Sequence, residues 1–223
     1  MAVKPLHFSL LLTTAYALTA GVLQAGLVLY SFPGGAFTPT TTDPNVTSGA
    51  INATGSIGSV EPGSALANTV FYRYGALSTT PAAAVANNEF FQFTLTPNAG
   101  YELDFTSVTF DATRGGASTP RGFLLRTSLD GFTANVATAD IPTANPTLTP
   151  FNISLSAPAF QNISSSTTFR LYQYAPSVGG VGTFYDNISV NGSANVIPEP
   201  STLLFGLALL GVAATRRCRP RHF

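Results

Sequence analysis

The sequence has few of the side chains on which most enzyme chemistry depends. Among its 223 residues there are two histidines, one cysteine and no tryptophan, and charged residues make up 9%. The histidines are His7 and His222, the cysteine is Cys218 and the one lysine is Lys4, so residues 26–195 contain none of these groups. This excludes Ser-His-Asp and Cys-His catalysis, histidine-based zinc sites and lysine Schiff bases from the body of the chain.

The body is also mildly acidic. Residues 26–195 hold five arginines against nine acidic residues, a net charge of −4. A nucleic-acid partner would need a basic surface, so this composition argues against one. Because the one cysteine lies outside the body, no disulfide can cross-link it, and its stability must come from a packed core.

The N-terminus has the pattern of a secretory signal peptide. Lys4 precedes the apolar residues 10–22, and the small residues Ala25 and Gly26 follow. This order predicts that residues 1–25 form a signal helix that is cleaved after Ala25, with Ala20 as the alternative site. A retained first helix is the other interpretation.

The C-terminal 28 residues, 196–223, have three parts. They are the motif Pro198-Glu199-Pro200-Ser201, the apolar residues 203–214, and a basic end with Arg216, Arg217, Arg219 and Arg221. A helix over the apolar part would be about 18 Å long, well short of a hydrocarbon core of about 30 Å. A tail of this length is typical of a sorting signal that is later removed, and its arginines should stay in the cytoplasm.

This arrangement resembles the PEP-CTERM sorting domain of exported proteins in Gram-negative bacteria. The resemblance depends on Pro198-Glu199-Pro200-Ser201, the apolar segment, and Arg216 and Arg217. It implies recognition by a membrane-embedded exosortase, a transient stay in the inner membrane, and processing at or near the motif. It further implies a location at the cell surface or outside the cell, in association with exopolysaccharide and biofilm. An ordinary tail anchor is the other interpretation.

Alternating apolar and polar residues predict an all-β body over residues 26–195. A first strand is expected at 26–32, followed by a Thr/Ser/Gly-rich surface loop at about 33–68 with at most short strands. The further strands are predicted at 69–74, 89–96, 101–113, 121–129, 148–155, 167–174 and 183–191. No helical period is found there, so we expect an antiparallel β-sandwich, as a jelly roll or alternatively an immunoglobulin-like fold. The signal helix and a short C-terminal hydrophobic helix would flank it.

Two local features refine this prediction. Leu103 and Phe105 are out of phase with Val108 and Phe110, which predicts a bulge near Thr106 and Ser107. Asp130-Gly131 between two strand patterns predicts a hairpin turn. The body also resembles the β-sandwich domains that often precede this sorting signal. The matching segments are Asn98-Ala99-Gly100-Tyr101, Ser128-Leu129-Asp130-Gly131-Phe132 and Tyr185-Asp186-Asn187-Ile188.

Carboxylates are the remaining candidates for acid–base chemistry. Glu102 and Asp104 are two apart on a strand and share a face, with side chains about 7 Å apart, a separation that a glycosidase could use. Their neighbours Leu103 and Phe105 form the apolar face, so the simpler interpretation is a pair in solvent. Asp186 has the phase of Phe184, Ile188 and Val190, which predicts an inward position. There it would accept amide hydrogen bonds or ligate a structural calcium.

Tyrosine pairs are the candidates for glycan contact. Tyr172 and Tyr174 share one face of a predicted strand, as do Tyr72 and Tyr74. Exposed on a sheet they could stack on a sugar, although the same spacing is typical of an ordinary core face. Arg170 has the same phase as Tyr172 and Tyr174, which favours an exposed or mixed surface.

The expected function is that of an exported, non-enzymatic surface or extracellular-matrix protein. The alternatives are a carbohydrate-binding module that uses the tyrosines and a carboxylate-dependent glycoside hydrolase. We assign no catalytic residue and no metal ligand beyond the Asp186 candidate, and expect no cofactor other than a structural calcium. An exposed Tyr172/Tyr174 groove would favour the module and inward acids in a cleft the hydrolase. A polar surface with neither would favour the structural role.

Overall fold

A computed structural model of the chain describes residues 26–54, 60–62, 66–72, 78–117, 119–175 and 182–198. The predicted signal helix, the apolar segment 203–214 and the four C-terminal arginines lie outside the described residues. Within the described ranges, no helix combines the length and apolarity that a membrane crossing requires.

Strands dominate the described chain. They are β1 (Gly26–Tyr30), β2 (Thr41–Thr42), β3 (Val46–Ser48), β4 (Asn52–Thr54), β5 (Val60–Pro62), β6 (Val70–Tyr72), β7 (Phe90–Pro97), β8 (Tyr101–Arg114), β9 (Gly122–Thr127), β10 (Ala137–Asp140), β11 (Thr149–Ser154), β12 (Thr167–Tyr174) and β13 (Thr183–Val196). One α-helix, α1 (Pro81–Ala86), and three 3-10 turns, Pro33–Gly35, Ser128–Asp130 and Pro158–Phe160, complete the described elements.

The strands form two antiparallel sheets. The first sheet has the order β11-β8-β13-β1-β2, with β6 also paired to β13 and β5 to β6. The second sheet has the order β10-β9-β12-β7-β3, with β4 also paired to β7. From β7 onward the chain changes sheet at every connection except the β9–β10 hairpin. The antiparallel two-sheet sandwich predicted from the sequence is confirmed.

Aromatic rings fill the space between the two sheets. Phe169 of the second sheet stacks on Phe93 with ring centroids 5.4 Å apart and meets Phe105 of the first sheet edge-on, also at 5.4 Å. Phe110 of the first sheet likewise meets Phe123 of the second sheet at 4.9 Å. All five rings are buried in one continuous core, and contacts of this kind stabilise a core beyond the area that they bury.

The Thr/Ser/Gly-rich segment at 33–68 is attached to both sheets. It contains β2, β3, β4 and β5, each two or three residues long, in line with the expectation of at most short strands. β2 pairs with β1, whereas β3 and β4 pair with β7. Val46 and Ile51 from this segment are buried in the core. The segment therefore contributes to the sandwich despite its polar composition.

The expectation of no helix in the body is wrong at α1. The Oγ1 atom of Thr80 accepts a hydrogen bond from the amide of Ala83 at 3.3 Å, and Pro81 opens the first turn. Capping and proline in these positions favour a helix start. Six residues are too few to show a helical period in the sequence, so the pattern could not reveal the element.

The bulge predicted near Thr106 and Ser107 is confirmed. Ser107 pairs with Asn191 and Phe105 with Gly192, so β8 has one residue more than β13 at this point. The extra residue changes the phase of β8, and the apolar side chains on both sides of it enter the core. The hairpin at Asp130-Gly131 is also present between β9 and β10, with Gly131 at φ 68°, but β10 itself was not predicted.

The end of β13 yields a stability prediction. Residues 193–196 pair with residues 101–104 of β8, and Asn195 Nδ2 donates to Asp104 Oδ2 at 2.7 Å. A shortened chain of residues 26–197 should keep the full free energy of unfolding. A chain of residues 26–192 should lose about 3 kcal/mol, since several hydrogen bonds of about 1 kcal/mol each are lost. Urea unfolding of both chains measures the difference, and equal stabilities would contradict the observed pairing.

Candidate functional site

The predicted sorting motif begins where the sandwich ends. Val196 pairs with Tyr101, and the amide of Ile197 donates to the carbonyl of Gly100 at 2.8 Å. Val196 and Ile197 are 67% and 38% exposed, and Pro198 is exposed as well. Proline has no amide hydrogen, so Pro198 cannot extend the ladder. Of the motif, Glu199, Pro200 and Ser201 lie outside the described residues.

Tyr172 and Tyr174 are buried on the outer side of the second sheet. Tyr172 is 2% exposed and Tyr174 is 3% exposed. Both pack in one apolar cluster with Phe90, Leu124 and Ala84 of α1, which covers this part of the sheet. The rings of Tyr172 and Phe90 lie 4.9 Å apart. The structure thus places this pair in ordinary core packing, the alternative to a sugar platform. The side chain of Tyr72 and all of Tyr74 lie outside the described residues.

The two tyrosines differ in their hydroxyl groups. The single hydroxyl hydrogen of Tyr174 is shared between Asp140 Oδ1 at 2.6 Å and the carbonyl oxygen of Ala139 at 3.1 Å. Burial and the neighbouring Asp140 carboxylate raise the pKa of Tyr174 well above its usual value. No hydrogen bond of the Tyr172 hydroxyl occurs within the described part of the chain.

This difference predicts that Tyr174→Phe lowers the free energy of unfolding by about 1–3 kcal/mol, since it removes hydrogen bonds that include one to a carboxylate. Tyr172→Phe is the matched control and should change it by less than about 0.5 kcal/mol. Chemical denaturation at pH 7 measures both values. Equal effects would contradict a structural role for the Tyr174 hydroxyl.

Glu102 and Asp104 lie on the outer face of the first sheet, half-exposed. Their neighbours Leu103 and Phe105 are buried in the core. Asp104 accepts hydrogen bonds at both oxygens, from the amide of Asn162 and from Asn195 Nδ2, each at 2.7 Å. These contacts fix a turn and the end of β13, so this carboxylate has a structural use.

Asp186 does not point inward, and the prediction from its phase is wrong. Tyr185 is buried in the core, Asp186 is half-exposed and Asn187 has a positive φ of 49°. The ladder to β8 shifts register between Asp186 and Ser189. Asn187 is therefore part of a bulge that reverses the alternation. Ile188 faces inward, but Asp186 lies on the opposite face.

Asp186 instead forms a pair of like charges with Asp111, its direct cross-strand partner. Burial and the charge of Asp111 raise the pKa of Asp186, against the hydrogen bond that the Asn187 amide donates at 2.7 Å. Asn187 Nδ2 also donates to Asp111 Oδ2 at 3.0 Å.

These contacts favour the hydrogen-bonding alternative over a calcium ligand. Calcium binds six to eight oxygens, whereas no group of three or more His, Cys, Asp and Glu side chains suited to a metal is found in the described ranges. The structural calcium at Asp186 stays a prediction.

The raised pKa of Asp186 predicts a pH effect. The folded state binds this proton more tightly than the unfolded state, so stability falls as the pH rises from the unfolded pKa through the folded one. Asp186→Asn should therefore be more stable than wild type at pH 7, by about 0.2–1 kcal/mol for a cross-strand pair of like charges. The gain should shrink as the pH falls through the raised pKa of Asp186, because the protonated carboxyl carries no charge to repel.

Asp111→Asn provides the matched control, because it removes the same repulsion from the other strand. Each single variant should show the gain in urea unfolding at pH 7, and the double variant should show little more than either. Additive gains, or a gain that persists at low pH, would contradict the coupling of these two carboxyls.

A polar surface that the sequence did not reveal lies on the outer face of the second sheet. Arg126 of β9 is directly opposite Arg170 of β12, Arg170 is opposite Gln92 of β7, and Gln92 is opposite Asn52 of β4. We call these four residues the arginine row. On one side of it, α1 covers the apolar part of the same face. On the other side, Thr94 and Thr168 share a hydrogen bond of 2.8 Å between their hydroxyls.

The two guanidinium groups are held by neutral partners. Arg170 Nε donates to Gln92 Oε1 at 3.1 Å, and its guanidinium carbon lies 4.2 Å from the ring centroid of Phe90 and 3.7 Å from that of Phe132. Arg126 donates from Nε to Asn135 Oδ1 and from Nη1 to the carbonyl of Phe132, both at 2.7 Å. Neither arginine has a carboxylate partner among the described residues.

The sequence contained part of the signal for this surface. Arg170 alternates with the inward Phe169 and Leu171, and Arg126 alternates with the inward Leu125, so an outward position for each could be predicted. What the sequence does not contain is the order of the strands. β9 and β12 are separated by β10 and β11 in the chain, and only their pairing brings the two arginines together.

The junction at Pro198 can now be compared with known proteins. Residues 196–217 match the PEP-CTERM protein-sorting motif. This confirms the resemblance predicted from Pro198-Glu199-Pro200-Ser201 and the basic end. A PEP-CTERM sorting signal implies exosortase-dependent export across the membrane in Gram-negative bacteria. No curated protein matches the sequence of this chain.

The solved structures with similarity to this chain include carbohydrate-binding modules. The family 11 module of a cellulosomal cellulase of Clostridium thermocellum is 13% identical, with 71% of this chain and 94% of that one covered at a TM-score of 0.33. The N-terminal cellulose-binding domain of β-1,4-glucanase C from Cellulomonas fimi is 13% identical, with 66% and 90% covered at a TM-score of 0.32. At TM-scores this far below 0.5, the likeness carries no conclusion about this chain's topology or ligand.

Proposed function

We propose that this chain is an exported, non-enzymatic protein of the cell surface or extracellular matrix, associated with exopolysaccharide in a biofilm. In this proposal, the signal peptide at residues 1–25 delivers the sandwich across the inner membrane. The segment at 203–214 holds it there transiently, and an exosortase removes the sorting signal. The cargo is a jelly roll, a topology supported by the way the chain alternates between the two sheets.

The observation that carries this proposal is the junction between β13 and the motif. The ladder of the sandwich ends with the bond from Ile197 to Gly100, immediately before Pro198. Cleavage on the C-terminal side of Pro198 would remove no residue of the ladder. The PEP-CTERM signal could therefore be taken away while the sandwich stays folded, as a disposable sorting signal requires.

The positions of the candidate site residues support a non-enzymatic role. Glu102 and Asp104 lie on an outer face, where Asp104 is bound at both oxygens, and Asp186 faces away from the core. Tyr172 and Tyr174 are covered by α1. This arrangement fits a polar surface better than an acidic cleft or a tyrosine-lined groove.

Export and processing provide the test. In a host that has an exosortase, intact-mass analysis of the extracellular wild-type protein should find a C-terminus at or near residues 198–201 and no residues 203–223. Glu199→Ala should keep the C-terminal segment and stay in the membrane fraction, because the motif is no longer recognised. Glu102→Ala, which removes a carboxylate from the outer face of the sandwich, is the matched control and should be processed like wild type.

Full-length wild-type polypeptide, with Arg221 retained, as the stable form in that host would contradict the proposal. Matrix association has its own measurement. The processed protein should sediment with exopolysaccharide from the culture and be released when glycosidases digest that polymer. Recovery of the protein in the soluble fraction without digestion would contradict this part alone.

A further inference from the structure

Two arginines face each other on the second sheet, and no acid among the residues that the structure describes neutralises them. Arg126 and Arg170 are direct cross-strand partners, which places their Cα atoms about 4.5–5.5 Å apart. Like charges in this position destabilise a sheet. The body has nine acidic residues against five arginines, so a shortage of acids does not explain the missing partner.

Three acids on or beside the strands of this sheet have other partners. Glu89 accepts hydrogen bonds from the amide and hydroxyl of Ser78, and Asp140 accepts one from Tyr174. Asp130 accepts hydrogen bonds from the amides of Thr133 and Ala134. Most of the other acids lie on the first sheet, where Glu102, Asp104, Asp111 and Asp186 all face outward. The arginine row is therefore a local cationic site on an acidic protein.

Both guanidinium groups are oriented but not saturated. Nε of Arg170 is bound to Gln92, and the rings of Phe90 and Phe132 hold the group in place. Nη1 and Nη2 of Arg170 have no hydrogen-bond partner in the described part of the chain, and neither does Nη2 of Arg126. Arg170 and Arg126 are both half-exposed, so these donors can reach a ligand. A guanidinium fork held in this way is suited to a carboxylate.

Phe132 contributes to this orientation at a conformational cost. It has a positive φ of 61°, which is rare for a bulky residue. Its carbonyl accepts from Arg126 Nη1 and its half-exposed ring contacts Arg170, so the β9–β10 connection fixes both arginines.

We propose that the arginine row binds a carboxylate-bearing polysaccharide, with one sugar carboxylate held between Arg126 and Arg170. Gln92 and Asn52 continue the row across two further strands, and Thr94 and Thr168 lie beside it. Their amides and hydroxyls match the hydroxyl groups of neighbouring sugars. The row crosses four strands, about 14 Å at the usual strand spacing, which is room for an extended polymer. This ligand class rests on the exopolysaccharide association proposed above and narrows it to acidic polymers.

Nucleic acid fits the same surface less well. Tight binding to phosphates needs many cationic contacts, whereas the described part of this face has two arginines on a body of net charge −4. A binding experiment can therefore distinguish an acidic polysaccharide from nucleic acid as the ligand.

The test uses the extracellular protein that an exosortase-positive host has processed. Its probes are polygalacturonate and the methyl-esterified form of the same polymer. The two polymers share one backbone and differ in charge. Wild type should bind polygalacturonate at least about tenfold more tightly than it binds the methyl-esterified polymer, since each charge-assisted hydrogen bond contributes a factor of about ten. Arg126→Gln/Arg170→Gln should lose this preference. Arg114→Gln is the control for loss of positive charge elsewhere, since Arg114 donates to the carbonyls of Ala117, Pro142 and Thr143.

A readout on wild type alone covers the case in which the double variant does not fold. Free galacturonate should compete with polygalacturonate for the protein, whereas galactose should not. Equal binding of the two polymers, competition by galactose, or a folded double variant that binds like wild type would overturn the proposal. Duplex DNA binding as tight as that of polygalacturonate would also overturn it. A failure here with normal processing and matrix sedimentation leaves the broader function intact.

Discussion

The contact of aromatic rings across the two sheets is the constraint on which the rest of the structure depends. Phe105 and Phe110 from one sheet meet Phe169 and Phe123 from the other, and no cysteine of the body can supply a covalent substitute. Because side chains alternate along a strand, fixing the inward rings also fixes which residues face outward. The surface chemistry of both faces is therefore set by the packing of the core.

The two outer faces differ in charge as a result. The first sheet presents the acids of β8 and β13, and the second presents the arginine row. A protein that is acidic as a whole can thus present a cationic surface on one side, because its charges are separated between the two faces. The acidic side would repel a polyanion, which favours binding through one face in one orientation. If the same charges were spread evenly over both faces, they would not favour one binding orientation.

The strands and the two-sheet architecture could be predicted from the sequence because period-two alternation is a local signal. Phe91, Phe93 and Leu95 show it directly, and so does the phase change that revealed the bulge in β8. α1 was missed because six residues do not complete two helical turns. The position of Asp186 was mistaken because a second bulge, at Asn187, reversed the alternation within one residue.

The candidate sites likewise divide into one that the sequence alone reveals and others that depend on the tertiary structure. The PEP-CTERM signal is contiguous in sequence, so Pro198 and its neighbours could be recognised without a structure. The burial of Tyr172 and Tyr174 depends on α1, and the arginine row depends on pairing between strands that are distant in the chain. Both need tertiary information that alternation along one strand does not contain.

The place of β13 in the sandwich has a consequence for the order of events during export. It is the last described strand in the chain, yet it lies in the middle of the first sheet, between β8 and β1, and Asn191 pairs with Gly26. The first and last strands must therefore meet before the sheet closes, so the fold can be completed only once residue 196 is available. In the export route proposed above, the segment at 203–214 would keep the emerging polypeptide at the bilayer while this final strand is inserted.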